Sequence, residues 1–184
     1  MSFQFKVVVF MLASIGITWV SWPSLRSSRF HGFYRFFAWE AILALVLINL
    51  DYWLLSPTSI YQVTSWFLLI VSLYLIIHGI KCLRMVGSGN QRIDPSLLGI
   101  EKTTRLVTVG IFRYIRHPLY SSLLFLTWGA FFKHPSRIGI GLAVFATLFL
   151  ILTAKIEESE NIVFFGEAYR KYMSRTKMFV PFLF

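Results

Sequence analysis

Residues 138–156 read I-G-I-G-L-A-V-F-A-T-L-F-L-I-L-T-A-K-I, an apolar run in which Lys155 is the single charge. About 20 such residues in a helix cross a hydrocarbon layer about 30 Å thick. Further apolar stretches precede this one along the chain, so the sequence predicts a helical bundle whose main solvent is lipid. The five predicted spans, of which the fourth is short, are 5–22, 33–55, 61–83, 118–132 and 138–156.

Composition supports an all-α polytopic membrane protein. Of the 184 residues, 57% are hydrophobic and only 14% are charged, against about 25% charged in soluble domains. So little polar surface cannot cover such a core in water, which excludes a soluble enzyme and a disordered chain. Cys82 is the single cysteine, so no intrachain disulfide scaffold is possible.

The net charge of +10 predicts orientation rather than nucleic-acid binding. The basic residues lie between the apolar runs, where anionic lipid headgroups are the expected counter-charge. Fifteen of the 18 Lys and Arg residues fall on one side of the predicted spans, and Lys6, Lys133 and Arg137 fall on the other. By the positive-inside rule the N-terminus is outside, whereas the central loop and a C-terminal helical tail are cytoplasmic.

The chain divides in character near residue 83. Residues 1–83 are predicted to form a membrane anchor of three helices. Residues 84–184 combine a cytoplasmic loop, two short spans and a charged tail, so chemistry is expected there. In the first part Glu40, Asn49, Asp51 and His78 are either site candidates or, as for Glu40 and His78, partners in bonds between helices. The histidines are scattered and no Cys/His pair has ligand spacing, so no metal site is predicted.

One polar segment, T-T-R-L-V-T-V-G-I-F-R-Y-I-R-H-P-L-Y, occupies residues 103–120 and leads into the fourth span. Pro118 suits the first turn of a helix, and the free N–H groups of that turn can hold a carboxylate or a phosphate. Arg116 and Tyr120 are four residues apart, which predicts one shared helix face. The alternative is a plain interfacial anchor, since Arg and Tyr are common at membrane ends.

A second polar segment, I-E-E-S-E-N-I-V-F-F-G-E-A-Y-R-K-Y, follows the fifth span at residues 156–172. Glu157 and Asn161 are one helical turn apart, and Glu158 is adjacent. Negative charge is unfavourable at a helix C-terminus, unless the helix continues or a cationic ligand is bound there. The alternative is an acidic helix end that pairs with nearby lysine or arginine in solvent.

Together, the run G-I-F-R-Y-I-R-H-P-L-Y at 110–120 and the later E-E, N and F-G-E-A-Y resemble the isoprenylcysteine carboxyl methyltransferase family, which is similar to phospholipid N-methyltransferases. The resemblance covers about residues 100–184, and the five predicted spans of the chain match the small microbial members of that family. It implies an integral membrane enzyme that binds S-adenosylmethionine in a pocket open to the cytosol. It also implies a lipophilic acceptor, such as a prenylcysteine carboxylate or a lipid, that arrives from the bilayer.

The resemblance assigns roles residue by residue. Glu157 and Arg116 are the expected catalytic residues, with Glu157 as the base for an amine acceptor. Thr153 stands where the prenylcysteine branch has an arginine, which puts that acceptor in doubt. The expected cofactor-binding residues are Thr104, Arg105, Leu106, Val107, Phe112, His117, Pro118, Leu119, Tyr120 and Glu158.

Two other functions remain open at this stage. A membrane reductase of the sterol reductase type would use the arginines for NADPH phosphates, but such enzymes follow the motif with Gly-Glu where this chain has Ser121 and Ser122. A non-catalytic membrane scaffold would keep the fold without the chemistry. The acceptor is also open, since a prenylcysteine, a phospholipid amine, a phenol and a small thiol all suit a cleft that faces lipid. The sequence does not indicate an oligomeric state.

Overall fold

The computed structural model describes residues 2–55, 57–86 and 103–181. Within those ranges the chain is helical, as predicted, and two short 3-10 turns and one isolated backbone bridge complete it. The 3-10 turns are Leu50–Tyr52 and Gly110–Arg113. The helices are α1 (Phe3–Leu25), α2 (His31–Ile48), α3 (Ile60–Val86), α4 (Pro118–Lys133), α5 (Arg137–Phe165) and α6 (Glu167–Met173).

Four of the helices in the described ranges, α1, α2, α3 and α5, are long and apolar enough to cross a membrane. The fourth predicted span is α4, which has 16 residues and is therefore about 24 Å long, less than the hydrocarbon thickness of about 30 Å. The structure therefore supports four spans by length and composition. That α4, the fourth predicted span, crosses the membrane stays a prediction, like the orientation of the termini.

Local sequence explains several helix ends. The Ser136 hydroxyl accepts a hydrogen bond from Gly139 N at 3.0 Å and so caps α5, which is the ordinary use of serine before a helix. Pro118 occupies the first turn of α4, as predicted. Gly166 has φ +61° and ends α5, a conformation that side chains with a Cβ rarely adopt.

Two predicted span ends differ from the structure. The second span was expected to reach residue 55, but α2 ends at Ile48, because the chain turns at Asn49, whose side chain donates to Ala130 O in α4 at 2.8 Å. The fifth span was expected to end at 156, but its helix continues to Phe165. The acidic residues therefore lie within a continuous helix rather than at its C-terminus.

Helix α4 lies inside the bundle. It packs against α3, where Ser65 and Ser72 donate to the carbonyl oxygens of Gly129 and Ser122, both at 2.7 Å. Small residues and short polar side chains allow such close approach of helices in lipid. On the other side, α2 packs along α5, and α1 lies outermost against α2. Fully buried residues of the α2–α5 interface include Ala38, Ala146, Leu150 and Ala154.

The polar residues of the first three helices have structural partners. Glu40 accepts from the Ser14 hydroxyl at 2.6 Å and so links α1 to α2. For His78 a bond across helices was one of two alternatives, and the structure shows instead that its Nδ1 donates to Tyr74 O of the same helix at 3.0 Å. Asp51 forms an exposed ion pair with Lys6 at 2.8 Å.

Candidate active site

A cavity lies where the segment before α4, the end of α5 and helix α6 meet. It has about 670 Å³ of unfilled space, part of it open to solvent. Of the twelve residues predicted from the sequence, ten line it, whereas Thr104 and Glu158 do not. The residues that line the cavity are Leu83, Thr103, Arg105, Leu106, Val107, Phe112, Arg116, His117, Pro118, Leu119, Tyr120, Glu157, Asn161, Phe165, Tyr169 and Tyr172.

Arg116 is held by protein groups rather than free in the cavity. Its Nε donates to Glu158 Oε1 at 2.6 Å, and its Nη1 donates to the carbonyl oxygens of Met173 and Thr176. The prediction that Arg116 shares a helix face with Tyr120 is wrong, because α4 begins at Pro118 and Arg116 precedes the helix. The guanidinium therefore ties the entrance of α4 to α5 and to the C-terminal segment.

The two adjacent glutamates have different surroundings. Glu158 is buried, and its Oε1 also lies 3.2 Å from His117 Nε2. Glu157 lies on the cavity wall with its side chain 22% exposed, and its Oε2 is 3.8 Å from His117 Nδ1. The carboxylate of Glu158 thus bonds to protein side chains, whereas the carboxylate of Glu157 lies on the wall of the cavity.

The C-terminal segment forms part of the wall by pairing with the residues before α4. Arg116 N donates to Lys177 O at 2.8 Å, and Lys177 N donates to Tyr114 O at 3.0 Å. Farther along, the Ser121 hydroxyl donates to Phe179 O at 2.8 Å. Residues far apart in the sequence therefore fix the position of Arg116 and His117.

Helix α6 contributes an aromatic wall that was not among the predicted site residues. The Tyr172 hydroxyl donates to Phe112 O at 2.7 Å, and the Tyr169 phenol is hydrogen-bonded by Asn161. Burial raises the pKa of both phenols well above their ordinary value, so both remain neutral. The F-G-E-A-Y run was the available signal, but the fold-back at Gly166 that brings these rings to the cavity depends on tertiary structure.

The floor of the cavity rests on α3. Val107, Phe112 and Cys82 form a buried apolar cluster there. Gly110 has φ +61°, and a Cβ at that position would lie 2.5 Å from Cys82 Sγ. Glycine therefore allows the loop to turn close against α3 and to place Phe112 at the cavity.

The polar and aromatic groups that line the cavity favour an amphipathic organic ligand with a positive centre. It offers the carboxylate of Glu157, the amide of Asn161 and the exposed guanidinium of Arg105, together with the aromatic faces of Phe112 and Tyr169. A positive centre gains from both a carboxylate and an aromatic face. Among the residues that the structure describes, no group of three or more His, Cys, Asp or Glu side chains could hold a metal ion.

Comparisons with known proteins give the family. The family model described as phospholipid methyltransferase matches residues 63–169. The chain is 26% identical over 118 residues to methanethiol S-methyltransferase 1 of Bradyrhizobium diazoefficiens, which is 64% of this chain and 39% of that protein. It is 25% identical over 161 residues to methanethiol S-methyltransferase of Pseudomonas deceptionensis, which is 75% of this chain and 56% of that protein.

The matches thus span between about two fifths and just over half of the length of these curated relatives. No solved structure matches the chain. The family match covers more than half of the chain and includes all but the first three residues of α3, all of α4 and α5, and the cavity residues between them. On this basis, and in agreement with the resemblance of its two polar segments to the isoprenylcysteine carboxyl methyltransferases, the chain belongs to the phospholipid methyltransferase family of membrane methyltransferases.

Proposed function

We propose that this protein is an S-adenosylmethionine-dependent membrane methyltransferase and that the cavity is its methyl-donor site. The observation that carries the proposal is the contrast between the two glutamates. The carboxylate of Glu158 contacts the side chains of Arg116 and His117, whereas the carboxylate of Glu157 lies on the wall of a cavity with aromatic sides. That arrangement suits a ligand whose sulfonium and amino group are both positive.

The residues present fit that cofactor. Glu157 would hold a positive group of the ligand, and the faces of Phe112 and Tyr169 would contact its sulfonium or its base. Arg105 would hold its carboxylate, together with the positive end of the α4 dipole. When bound, S-adenosylmethionine supplies a methyl group on a sulfonium that is already activated for transfer.

The protein's contribution is mainly alignment and exclusion of water. Tyr169 and Tyr172 stay neutral because burial raises their pKa, so they act as fixed walls and hydrogen-bonding groups rather than as bases. The negative charge of Glu158 is balanced by the guanidinium of Arg116 in their ion pair. Glu157 is therefore the carboxylate that can accept a proton from an acceptor, and Arg116 is a positioning residue.

We infer that the acceptor is a small lipophilic thiol. Both relatives described above are called methanethiol S-methyltransferase. The interior below the cavity is filled by a tightly buried cluster that includes Tyr120, Leu150 and Phe179, which leaves little room for a long lipid tail between α4 and α5. Thr153 carries no charge that could pair with a prenylcysteine carboxylate. Its hydroxyl is fully buried and donates to Phe149 O at 2.7 Å.

The test is methyl transfer from labelled S-adenosylmethionine by the purified protein in lipid nanodiscs. Ethanethiol, phosphatidylethanolamine and a farnesylcysteine analogue are compared as acceptors, and labelled product is measured by extraction. We expect the thiol to be methylated fastest, and loss of at least tenfold in kcat/KM, about 1.4 kcal/mol, for Glu157→Gln. Glu167→Gln is the matched control, because the Glu167 carboxylate is 89% exposed and lies outside the cavity.

Two results would contradict the proposal. Equal activity of Glu157→Gln and wild type would remove Glu157 from the site. Methylation of the lipid amine or the farnesylcysteine in preference to the thiol would overturn the inferred acceptor but leave the methyltransferase activity intact. We further propose that the mouth of the cavity faces the cytoplasm, as the distribution of basic residues predicts.

A further inference from the structure

The end of α5 that carries Glu157 is held by the start of α2, through a pair of residues outside the cavity. Glu160 Oε1 accepts from the backbone N–H of His31 at 3.0 Å, and Glu160 Oε2 lies 2.7 Å from His31 Nδ1. One carboxylate thus receives two hydrogen bonds from a single residue 129 positions away in the sequence. We call this contact the His31–Glu160 clasp.

The clasp replaces a helix cap. Phe30 precedes α2 and makes no side-chain cap hydrogen bond, although the first N–H groups of a helix need acceptors. Glu160 supplies one from another helix, and its negative charge is favourable beside the positive end of the α2 dipole. The contact therefore gives a backbone N–H at the start of α2 its acceptor and restrains α5 at the same time.

The polar contacts of His31 extend from Glu160 to a second buried side chain, Arg35. Because the guanidinium of Arg35 can only donate, His31 Nε2 at 3.4 Å from Arg35 Nη1 is the acceptor, and Nδ1 carries the proton that is donated to Glu160. The Arg35 side chain is buried and lies over the Trp39 ring, 4.9 Å from its centroid. His31 itself is fully buried. This buried order of donors and acceptors defines the orientation of the histidine ring and hence the position of Glu160.

Glu160 is close to the cavity along α5 but is not part of its wall. It follows Glu157 by three residues and precedes Asn161 directly, which is a rise of about 4.5 Å and about 1.5 Å along the helix. Farther from this end, α2 and α5 are joined by the fully buried alanines Ala38 and Ala154. The clasp completes that interface at the point where α5 extends past its predicted membrane span.

We propose that His31 and Glu160 are positioning residues of the methyl-donor site, so that the N-terminal helices take part in setting the geometry of Glu157 and Asn161. The proposal rests on the proposed function of the cavity. Loss of the clasp frees the end of α5, which carries three residues of the cavity wall, Glu157, Asn161 and Phe165. Small displacements of aligned groups are costly to reaction rates.

The experiment measures the dissociation constant of S-adenosylhomocysteine by calorimetry and kcat per folded protein, with thermal unfolding in parallel. Glu160→Gln removes the charge and presents an amide N–H to the His31 donor. We expect binding weakened by about tenfold and kcat lowered by at least tenfold, as misplacement of aligned groups can cost up to about 100-fold. The unfolding temperature should fall as well, because the buried donors of His31 lose the carboxylate that accepts from them, so kcat is expressed per folded protein. Glu167→Gln, in the exposed α6 pair, is the control.

A conservative variant separates positioning from simple packing. His31→Gln keeps a side-chain donor for Glu160 and an acceptor toward Arg35, whereas His31→Phe keeps the volume and loses both. We expect binding close to wild type for His31→Gln and a loss similar to that of Glu160→Gln for His31→Phe. If His31→Phe does not fold, binding by Glu160→Gln is compared with binding by His31→Gln. Weaker binding by Glu160→Gln than by His31→Gln then supports the positioning role, and equal binding contradicts it.

The proposal is overturned if Glu160→Gln binds and turns over like wild type, or if its defect is only a lower unfolding temperature with unchanged kcat per folded protein. Failure of the wild-type protein to bind S-adenosylhomocysteine would be a different result, because it would refute the proposed function of the cavity rather than the role of the clasp.

Discussion

Replacement of Arg116 by methionine should release the C-terminal segment. The Arg116 side chain is only 10% exposed and makes one ion pair, with Glu158 at 2.6 Å. It also donates to the carbonyl oxygens of Met173, the last residue of α6, and of Thr176 in the segment that follows. Removal of one partner from a buried ion pair costs about 3–5 kcal/mol. Because His117 remains beside Glu158 at 3.2 Å, we take the lower end, about 3 kcal/mol.

That loss corresponds to an increase of about 100-fold in the open population of the segment, since each factor of ten is about 1.4 kcal/mol. Trypsin cleavage after Arg175 or Lys177, followed by mass spectrometry, measures the open population when closing is faster than cleavage. Arg170→Met is the control, because its side chain is 58% exposed and pairs only with Glu167 among the contacts described. A cleavage rate for Arg116→Met within threefold of the control would refute the anchoring role of Arg116.

Three further substitutions test the walls of the cavity and the far end of the bundle. Tyr172→Phe leaves the buried carbonyl of Phe112 without its donor and should lower the free energy of unfolding by about 1–2 kcal/mol, measured by denaturant titration in detergent; an unchanged value would contradict the bond. Gly110→Ala should destabilise by about 1–3 kcal/mol through its φ of +61° and its clash with Cys82, and Cys82→Ala in the same chain should restore part of the loss. Lys133→Met removes a buried amine that lies 3.6 Å from the centre of an indole ring and should cost about 1–3 kcal/mol, detected as a lower unfolding temperature with shifted tryptophan emission.

The sequence predicted the helices better than their ends. Hydropathy located the apolar core of every span, and Pro118 marked the start of α4 correctly. It could not show that α2 ends at Ile48, since apolar residues continue on both sides of Asp51 and the turn at Asn49 depends on a bond to Ala130. It also could not show that α5 continues to Phe165, because polar residues end a hydropathy window without ending a helix.

The candidate site was predicted in its composition but not in its internal roles. Two segments with charges of opposite sign predicted the meeting of Arg116 with the acidic pair, and the structure places them in contact. The sequence could not show which glutamate is buried, because that depends on the side of α5 that faces His117. The contribution of Tyr172 and the clasp between His31 and Glu160 depend on contacts between distant segments, which local patterns do not encode. The division at residue 83 into anchor and catalytic half stays a proposal.

The central claim, that the cavity binds S-adenosylmethionine, is tested most directly by calorimetric titration of the purified wild-type protein with S-adenosylhomocysteine and, separately, with NADPH. We predict saturable binding of S-adenosylhomocysteine at one site per chain, weakened at least tenfold in Glu157→Gln, about 1.4 kcal/mol, and no binding of NADPH. Binding of NADPH alone, or S-adenosylhomocysteine binding that is insensitive to Glu157→Gln, would contradict the account.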